Sequence, residues 1–456
     1  MFSVRSHARW AVPLVLGMAS LGVVVPPASA SGAAAPVRDD FNGDGYADLA
    51  VGAPHGTVGG QAQAGYVTVM YGGPHGLSTG HRTIISRSTG GVPGDPAKNQ
   101  RFGLQLSKGD LDGDGYADLV IGTGSSTAGA VVVWGGAHGL TGGTSIAATD
   151  TQTGDFDGDG HLDLAVFRAG FAAGDDPIGT TAALWKGPLK RSGAAAAKTP
   201  FDHAHLQYID IHDGATGDIN RDGRSDLVLT GYCGDGSYCS RVYVSGPSGL
   251  AQPADWYPSG DSAALGDVDG DGYADLVTGF SDDNSVTVVP GTASGLGAQG
   301  TWTSYTQDTP GVPGAREEED SFGASVSVAD VTGDGIADVA IGAPGENGAE
   351  GVVDVLRGSR TGLTGAGAQA FTQDTRGVPG AAEAGDGFGQ TVKLLDLDRD
   401  HHADLAVDAT NEDRGNGTVW VLRGRSTGVT TDAALAFGGK AVGAPYTKAA
   451  FGFELK

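Results

Sequence analysis

Seven times the chain repeats one acidic nonapeptide, D-x-[D/N/T]-x-D-[G]-x-x-D, starting at Asp40, Asp110, Asp155, Asp218, Asp267, Asp330 and Asp396. Each copy runs into a short apolar segment, such as Leu49-Ala50-Val51, Leu119-Val120-Ile121 or Leu405-Ala406-Val407. Runs that are apolar on both faces describe strands buried between two layers. The chain has 456 residues, and one compact core rarely organises more than about 250–300, so the motif marks a repeat array. The 80 glycines lack the three-residue period of collagen and point instead to tight turns between short strands, an all-β chain.

The units share further landmarks. A second strand follows the first, as in Tyr66-Val67-Thr68-Val69-Met70 and Val352-Val353-Asp354-Val355-Leu356. A G-x-x-x-G-L turn comes next at Gly72 to Leu77, Gly135 to Leu140, Gly291 to Leu296 and Gly358 to Leu363. A third strand and a loop then lead to Phe-Gly, at Phe102, Phe322 and Phe388, eight residues before the next Asp. Four strands per unit is the expectation.

Phe322-Gly323, the Asp330 to Asp338 loop and Gly342-Ala343-Pro344 resemble one FG-GAP repeat of the integrin alpha-subunit head, and Gly52-Ala53-Pro54 holds the same place in the first unit. The resemblance implies a seven-bladed β-propeller of four-stranded antiparallel blades with calcium-binding loops, as in many secreted bacterial FG-GAP or VCBS-type proteins. Ala147-Ala148, Asp210-Ile211 and Ser259-Gly260 stand where blades 3, 4 and 5 should show Phe-Gly. There the assignment rests on the Asp loops alone. Blade 1 has no Phe-Gly before Asp40, yet the chain ends in Phe451-Gly452-Phe453-Glu454-Leu455-Lys456. That segment is expected to supply the missing first strand of blade 1 and close the ring.

The acidic loops read as Ca²⁺ sites, up to seven of them. A hard dication takes 6–8 oxygens, and alternate carboxylates on a tightly turned loop can converge on it. The expected ligands are positions 1, 3, 5 and 9 and the carbonyl of position 7. These are Asp40, Asn42, Asp44, Tyr46 and Asp48; Asp110, Asp112, Asp114, Tyr116 and Asp118; Asp155, Asp157, Asp159, His161 and Asp163; Asp218, Asn220, Asp222, Arg224 and Asp226; Asp267, Asp269, Asp271, Tyr273 and Asp275; Asp330, Thr332, Asp334, Ile336 and Asp338; and Asp396, Asp398, Asp400, His402 and Asp404. An EF-hand would continue to Glu at position 12 between helices, whereas here that position is apolar or Thr278. The alternative is that Asp, Asn and Gly only make Asx turns. Thr332 offers a hydroxyl at position 3, and His401 replaces the turn glycine of position 6, so loops six and seven are expected to bind more weakly.

Charge and flanking segments bound the setting. With 54 acidic and 28 basic side chains the formal charge is −26, which repels phosphate and excludes a nucleic-acid partner. Residues 1–30 carry Arg5, His7 and Arg9, an apolar stretch and Ala28-Ser29-Ala30, the pattern of a secretory signal peptide. Residues 31–39 follow as a short linker and 40–456 as a single propeller, with no membrane span. The mature protein is expected to be extracellular and monomeric. Cys233 and Cys239 flank the turn Gly234-Asp235-Gly236-Ser237-Tyr238 between two apolar runs. They should pair across a hairpin in an oxidising compartment.

No assembled catalytic group emerges. Gly124-Ser125-Ser126-Thr127-Ala128 departs from the nucleophile elbow at its last residue and has no helix after it. His203 and His205 alternate as on a strand, near His212, without a third zinc ligand. Glu317-Glu318-Glu319-Asp320 reads as a solvated loop. The favoured function is a recognition or adhesion module for an extracellular protein or glycan, and the alternative is a propeller-type hydrolase or lyase acting on extracellular polymers or esters. Fold alone decides neither. The face opposite the Asp loops, with its repeated G-V-P-G segments at residues 91–94, 311–314 and 377–380, is the expected binding surface. Those segments could equally fill the space between blades.

Overall fold

A computed structural model describes residues 39–125, 128–246, 249–251 and 257–456. The expected signal peptide lies outside them, as do Ser126 and Thr127 of the elbow-like stretch. The described chain is a seven-bladed β-propeller of antiparallel sheets, four-stranded in the main. In blade 2, strands A to D are Gln105–Gly109, Asp118–Gly122, Ala130–Trp134 and Thr141–Ile146. Blade 3 inserts a small hairpin, Phe171–Ala173 with Asp176–Ile178, between its B and C strands. Blade 4 shows three strands, Asp210–Gly217, Asp226–Tyr232 and Tyr238–Tyr243, and a Val244–Ala251 bridge among the described residues.

Blade 1 has strands Leu49–Ala53, Tyr66–Met70 and Arg82–Ile85. Its A position is filled by the C-terminal segment, as the sequence predicts. Val51 bridges Leu455 antiparallel, and Gly52 N–H donates to the Glu454 carbonyl at 2.8 Å. The ring therefore has no open sheet edge at the join.

The core is seven clusters, each shared by two consecutive blades. In blades 1, 2, 6 and 7 strands B and C are buried on both faces because each blade is covered on both sides. The buried Phe102, Phe322, Phe388 and Phe451 of the Phe-Gly pairs lie in four of these clusters. Val92, Val312 and Val378 of the G-V-P-G segments are buried in three of them. Those segments plug the joints between blades, so part of the surface expected to bind is structural.

Two local readings are corrected. His203 lies not on a strand but in a one-turn helix, His203–Leu206, because Asp202 caps it by accepting the His205 N–H at 3.3 Å. The acidic run is not wholly solvated. Asp320 is buried and turns back to accept the Glu317 N–H at 2.6 Å, while Asn284 Nδ2 donates to the Glu317 and Glu318 carbonyls.

Candidate metal centres of the loop face

Each Asp loop wraps its own first carboxylate. Asp110 Oδ1 accepts the N–H groups of Gly113 and Asp114 at 2.8 and 3.0 Å, and Oδ2 accepts that of Gly115 at 2.9 Å. Asp114 Oδ1 in turn accepts the Tyr116 N–H at 3.1 Å. These are Asx-type turns, and they recur with small changes in the other loops, as at Asp267 and Asp271. Winding this tightly needs a left-handed backbone at positions 4 and 6. Gly113 and Gly115 have φ of 76° and 92°, while Arg399 and His401 of loop seven are held at 60° and 68°. Only glycine does this without a Cβ penalty.

Position 9 does something the motif does not reveal. Asp118 is fully buried. Its Oδ2 accepts the Leu111 N–H of its own loop at 2.9 Å, and its Oδ1 accepts the Gly135 N–H beyond strand C at 2.8 Å. Asp48, Asp163, Asp226, Asp275 and Asp338 tie the same two places together. The first glycine of G-x-x-x-G-L is thereby explained, since a Cβ on Gly135 would sit 2.2 Å from the Ala117 carbonyl oxygen. Burial, with the other loop carboxylates acting the same way, pushes Asp48, Asp118, Asp275 and Asp404 up to about 7, against the pull of their backbone donors. Asp163, Asp226 and Asp338 rise to about 6.

The loops are also linked to one another. The N–H of position 8 donates to the position 1 carbonyl of the preceding loop in five cases: Ala117 to Asp40, Ser225 to Asp155, Ala274 to Asp218, Ala337 to Asp267 and Ala403 to Asp330. Position 7 reaches back as well. A Cβ on Gly43 would lie 2.4 Å from the Tyr116 ring, and one on Gly333 would lie 2.6 Å from the His402 ring. Position 2 supplies the anchor. Phe41, Leu111, Phe156, Ile219, Val268, Val331 and Leu397 are all buried, one in each interblade cluster.

Four loops bring acids close enough to hold a metal ion. Ligand oxygens within 4.8 Å of one another come from Asp110, Asp112 and Asp118; Asp155, Asp157 and Asp163; Asp267, Asp269 and Asp271; and Asp396, Asp398 and Asp400. The other three loops carry Asn42, Asn220 and Thr332 at position 3, and no such acidic triad forms in them among the described residues. The donor set fits a hard cation on an independent ground. Asp112 Oδ1, Asp157 Oδ1, Asp398 Oδ1 and Thr332 Oγ1, all at position 3, are buried oxygens without a hydrogen-bond partner. Buried acceptors of that kind are rarely left unmatched.

Basic side chains pair with the acids of some loops and not others; apart from Arg224, which meets Asp222 of its own loop at 3.1 Å, they come from strand C or beyond and so are absent from the motif. Arg191 contacts Asp112 at 2.5 Å and Asp114 at 2.6 Å. Lys186 pairs with Asp157 and Asp159, Arg423 with Asp398 and Arg425 with Asp400. Among the described residues, no basic side chain forms an ion pair with Asp267, Asp269, Asp271 or Asp275 of loop five. Elsewhere, Cys233 and Cys239 form the expected disulfide, with Cα atoms 6.0 Å apart. Ser125 Oγ accepts the Ala128 N–H at 3.3 Å and meets no histidine among the described residues.

Comparison with known proteins agrees with this architecture. The FG-GAP repeat model matches residues 31–70, 102–134, 259–294, 322–356 and 388–422, so blade 5 is recognised despite lacking Phe-Gly. Integrin alpha-5 of Xenopus laevis is 38% identical over 84 residues, 18% of this chain and 7% of that protein. Integrin alpha-PS2 of Drosophila melanogaster is 43% identical over 88 residues, 19% of this chain and 6% of that protein. Integrin alpha-PS5 of the same fly is 36% identical over 106 residues, 23% of this chain and 10% of that protein. The chain thus matches only a small part of the length of these relatives. Five of the seven blades thus carry a matched FG-GAP repeat, and the ring is a β-propeller similar to that of the integrin alpha chains.

Proposed function

We propose that the protein is a secreted, calcium-stabilised propeller that recognises an extracellular protein or glycan on the face opposite the Asp loops. The observation that carries this reading is an aromatic cluster on that face of blades 4 and 5. Tyr238 packs edge-on against Tyr232, His212 and Phe280, with ring centroids 5.7, 5.8 and 6.3 Å apart. Phe171 of the inserted hairpin and Tyr208 stand beside these blades at 66% and 51% exposure. Aromatic rings grouped at one surface of a rigid scaffold offer apolar area with polar edges, which serves protein and sugar surfaces alike. The disulfide between Cys233 and Cys239 braces the turn that carries Tyr232 and Tyr238. It also suits an oxidising compartment. No helix among the described residues is long and apolar enough to cross a membrane.

Calcium at the Asp loops would brace the opposite face from below, holding strands A and B of each blade in register. A glycan and extracellular-protein array, probed with and without Ca²⁺, tests the reading. A ligand is expected whose binding is lost in Tyr238→Ala and in Phe171→Ser. Ligands indifferent to both substitutions, or none at all, would overturn it.

A further inference from the structure

The strands nearest the propeller axis enclose a cavity of about 440 Å³, within the range of small-molecule sites. Residues from the A position of every blade line it, and three lysines point into it: Lys108, Lys393 and Lys456. Two of them are matched. Lys108 Nζ lies 3.1 Å from Asp39, and Lys456 Nζ lies 3.4 Å from Glu454 and 3.9 Å from Asp213. Lys393 has no ion-pair or hydrogen-bond partner among the described residues. It sits on strand A of blade 7, Val392–Leu395, where Val392 and Leu394 turn into the core and the alternation of the strand directs Lys393 to the channel.

We propose that this channel is a second ligand site, in which Lys393 anchors the carboxylate of a small hydroxylated acid of the sugar-acid class. The wall beside Lys393 suits an oxyanion. Ser325 Oγ and Ser327 Oγ accept the Val392 and Leu394 N–H groups at 3.1 and 3.0 Å. Each hydroxyl therefore keeps its own hydrogen to donate. An unpaired ammonium in a confined space is unfavourable. Burial, reinforced by Lys456 and Lys108, pushes Lys393 down to about 8, with Asp39 and Asp213 acting the other way. A bound carboxylate would relieve both effects.

The acids of the channel select the rest of the ligand. Asp39 and Glu454 face the same space and would repel a second negative charge, while the lone pairs left beside their lysine partners can accept from sugar hydroxyls; Asp213 already accepts the Gly214 and Ala263 N–H groups. Asp261, also in the wall, is already taken by the Ser281 hydroxyl and N–H. A monocarboxylate bearing several hydroxyls matches this pattern, and neither a neutral sugar nor a small polyanion does. The site does not depend on the aromatic face, so the failure of one reading leaves the other standing.

The test is calorimetric titration of the whole chain with D-glucuronate, with D-glucose and inorganic phosphate as comparators, for the wild type, Lys393→Met and Lys393→Arg. Glucuronate should bind the wild type, at least about tenfold more weakly the Met variant, and nearly normally the Arg variant. Wild-type protein that ignores glucuronate, or binds glucose or phosphate as tightly, would overturn the assignment, as would a folded Met variant of unchanged affinity. Should Lys393→Met fail to fold, acetylation of the wild type by an N-hydroxysuccinimide ester, read by mass spectrometry, decides the matter. Glucuronate should protect Lys393 and not the exposed Lys98, and equal labelling with and without it would refute the site.

Discussion

Lys456 and Ala50 exchange both of their backbone hydrogen bonds, at 2.7 and 3.0 Å. That pair, with Phe451 and Leu455 buried between blades 7 and 1, is the seam of the ring. Removing residues 450–456 should abolish cooperative unfolding in urea or shift its midpoint far down. The milder Leu455→Ala should cost about 2–5 kcal/mol, the usual range for a buried leucine. A truncated protein with the stability of the full chain would show that the seam is incidental.

Calcium is expected to stabilise the fold by mass action, because a ligand that binds only the native state raises its stability with concentration. Extracellular calcium modules bind at about 10⁻⁴ to 10⁻³ M. The melting temperature should therefore rise between excess chelator and millimolar Ca²⁺. Loop five, whose four acids form no ion pair among the described residues, should contribute more than loop two, where Arg191 already lies across Asp112 and Asp114. Asp269→Asn should then reduce the calcium-induced shift more than Asp112→Asn, as differential scanning calorimetry can measure.

His401 is held at a φ of 68° where six loops have glycine, a conformation that costs a side chain strain. His401→Gly should tighten cation binding at loop seven alone, by a few-fold, and stabilise the chain by about 1 kcal/mol. Site-resolved titration by NMR would read this, and an unchanged loop seven would mean that the strain is already offset elsewhere.

Asp354 lies in the core of blade 6 with neither carboxylate oxygen hydrogen-bonded. Burial, with a smaller push from Glu346, raises it from 3.8 to about 8. Across that window the folded chain holds a proton that the unfolded chain has released, so this group's contribution to stability falls as pH rises and is least favourable above pH 8. Asp354→Val should be more stable than the wild type by about 1–3 kcal/mol at high pH. The gain should shrink toward pH 4, and chemical denaturation at several pH values would show whether it does.

The Asp loops, the Phe-Gly pairs and the C-terminal closing strand are legible in the sequence because each is a local pattern at a fixed offset. The apolar position 2 residues, the left-handed position 4 and the double duty of Asp118 are not. Their meaning comes from a neighbouring blade, and Leu111 looks like any other residue until Leu164 of the next blade is packed against the same cluster. The one-turn helix at His203 was hidden for a different reason, since a single cap at Asp202 overrides an alternating pattern. Lys393 was invisible because a lone lysine on a short strand becomes notable only when six other strands face it.

The hydrogen bonds that run from one Asp loop to the next give the loop face the character of a chain of coupled switches. Ala274 cannot move without disturbing Asp218, nor Ala337 without Asp267, nor Ala403 without Asp330. With Ser225 on Asp155, these couplings are consecutive along loops three to seven, and nearest-neighbour terms of this sort make repeat proteins respond as one-dimensional arrays. Ordering one loop therefore lowers the cost of ordering the next, and a titration across this arc should be steeper than the sum of independent sites.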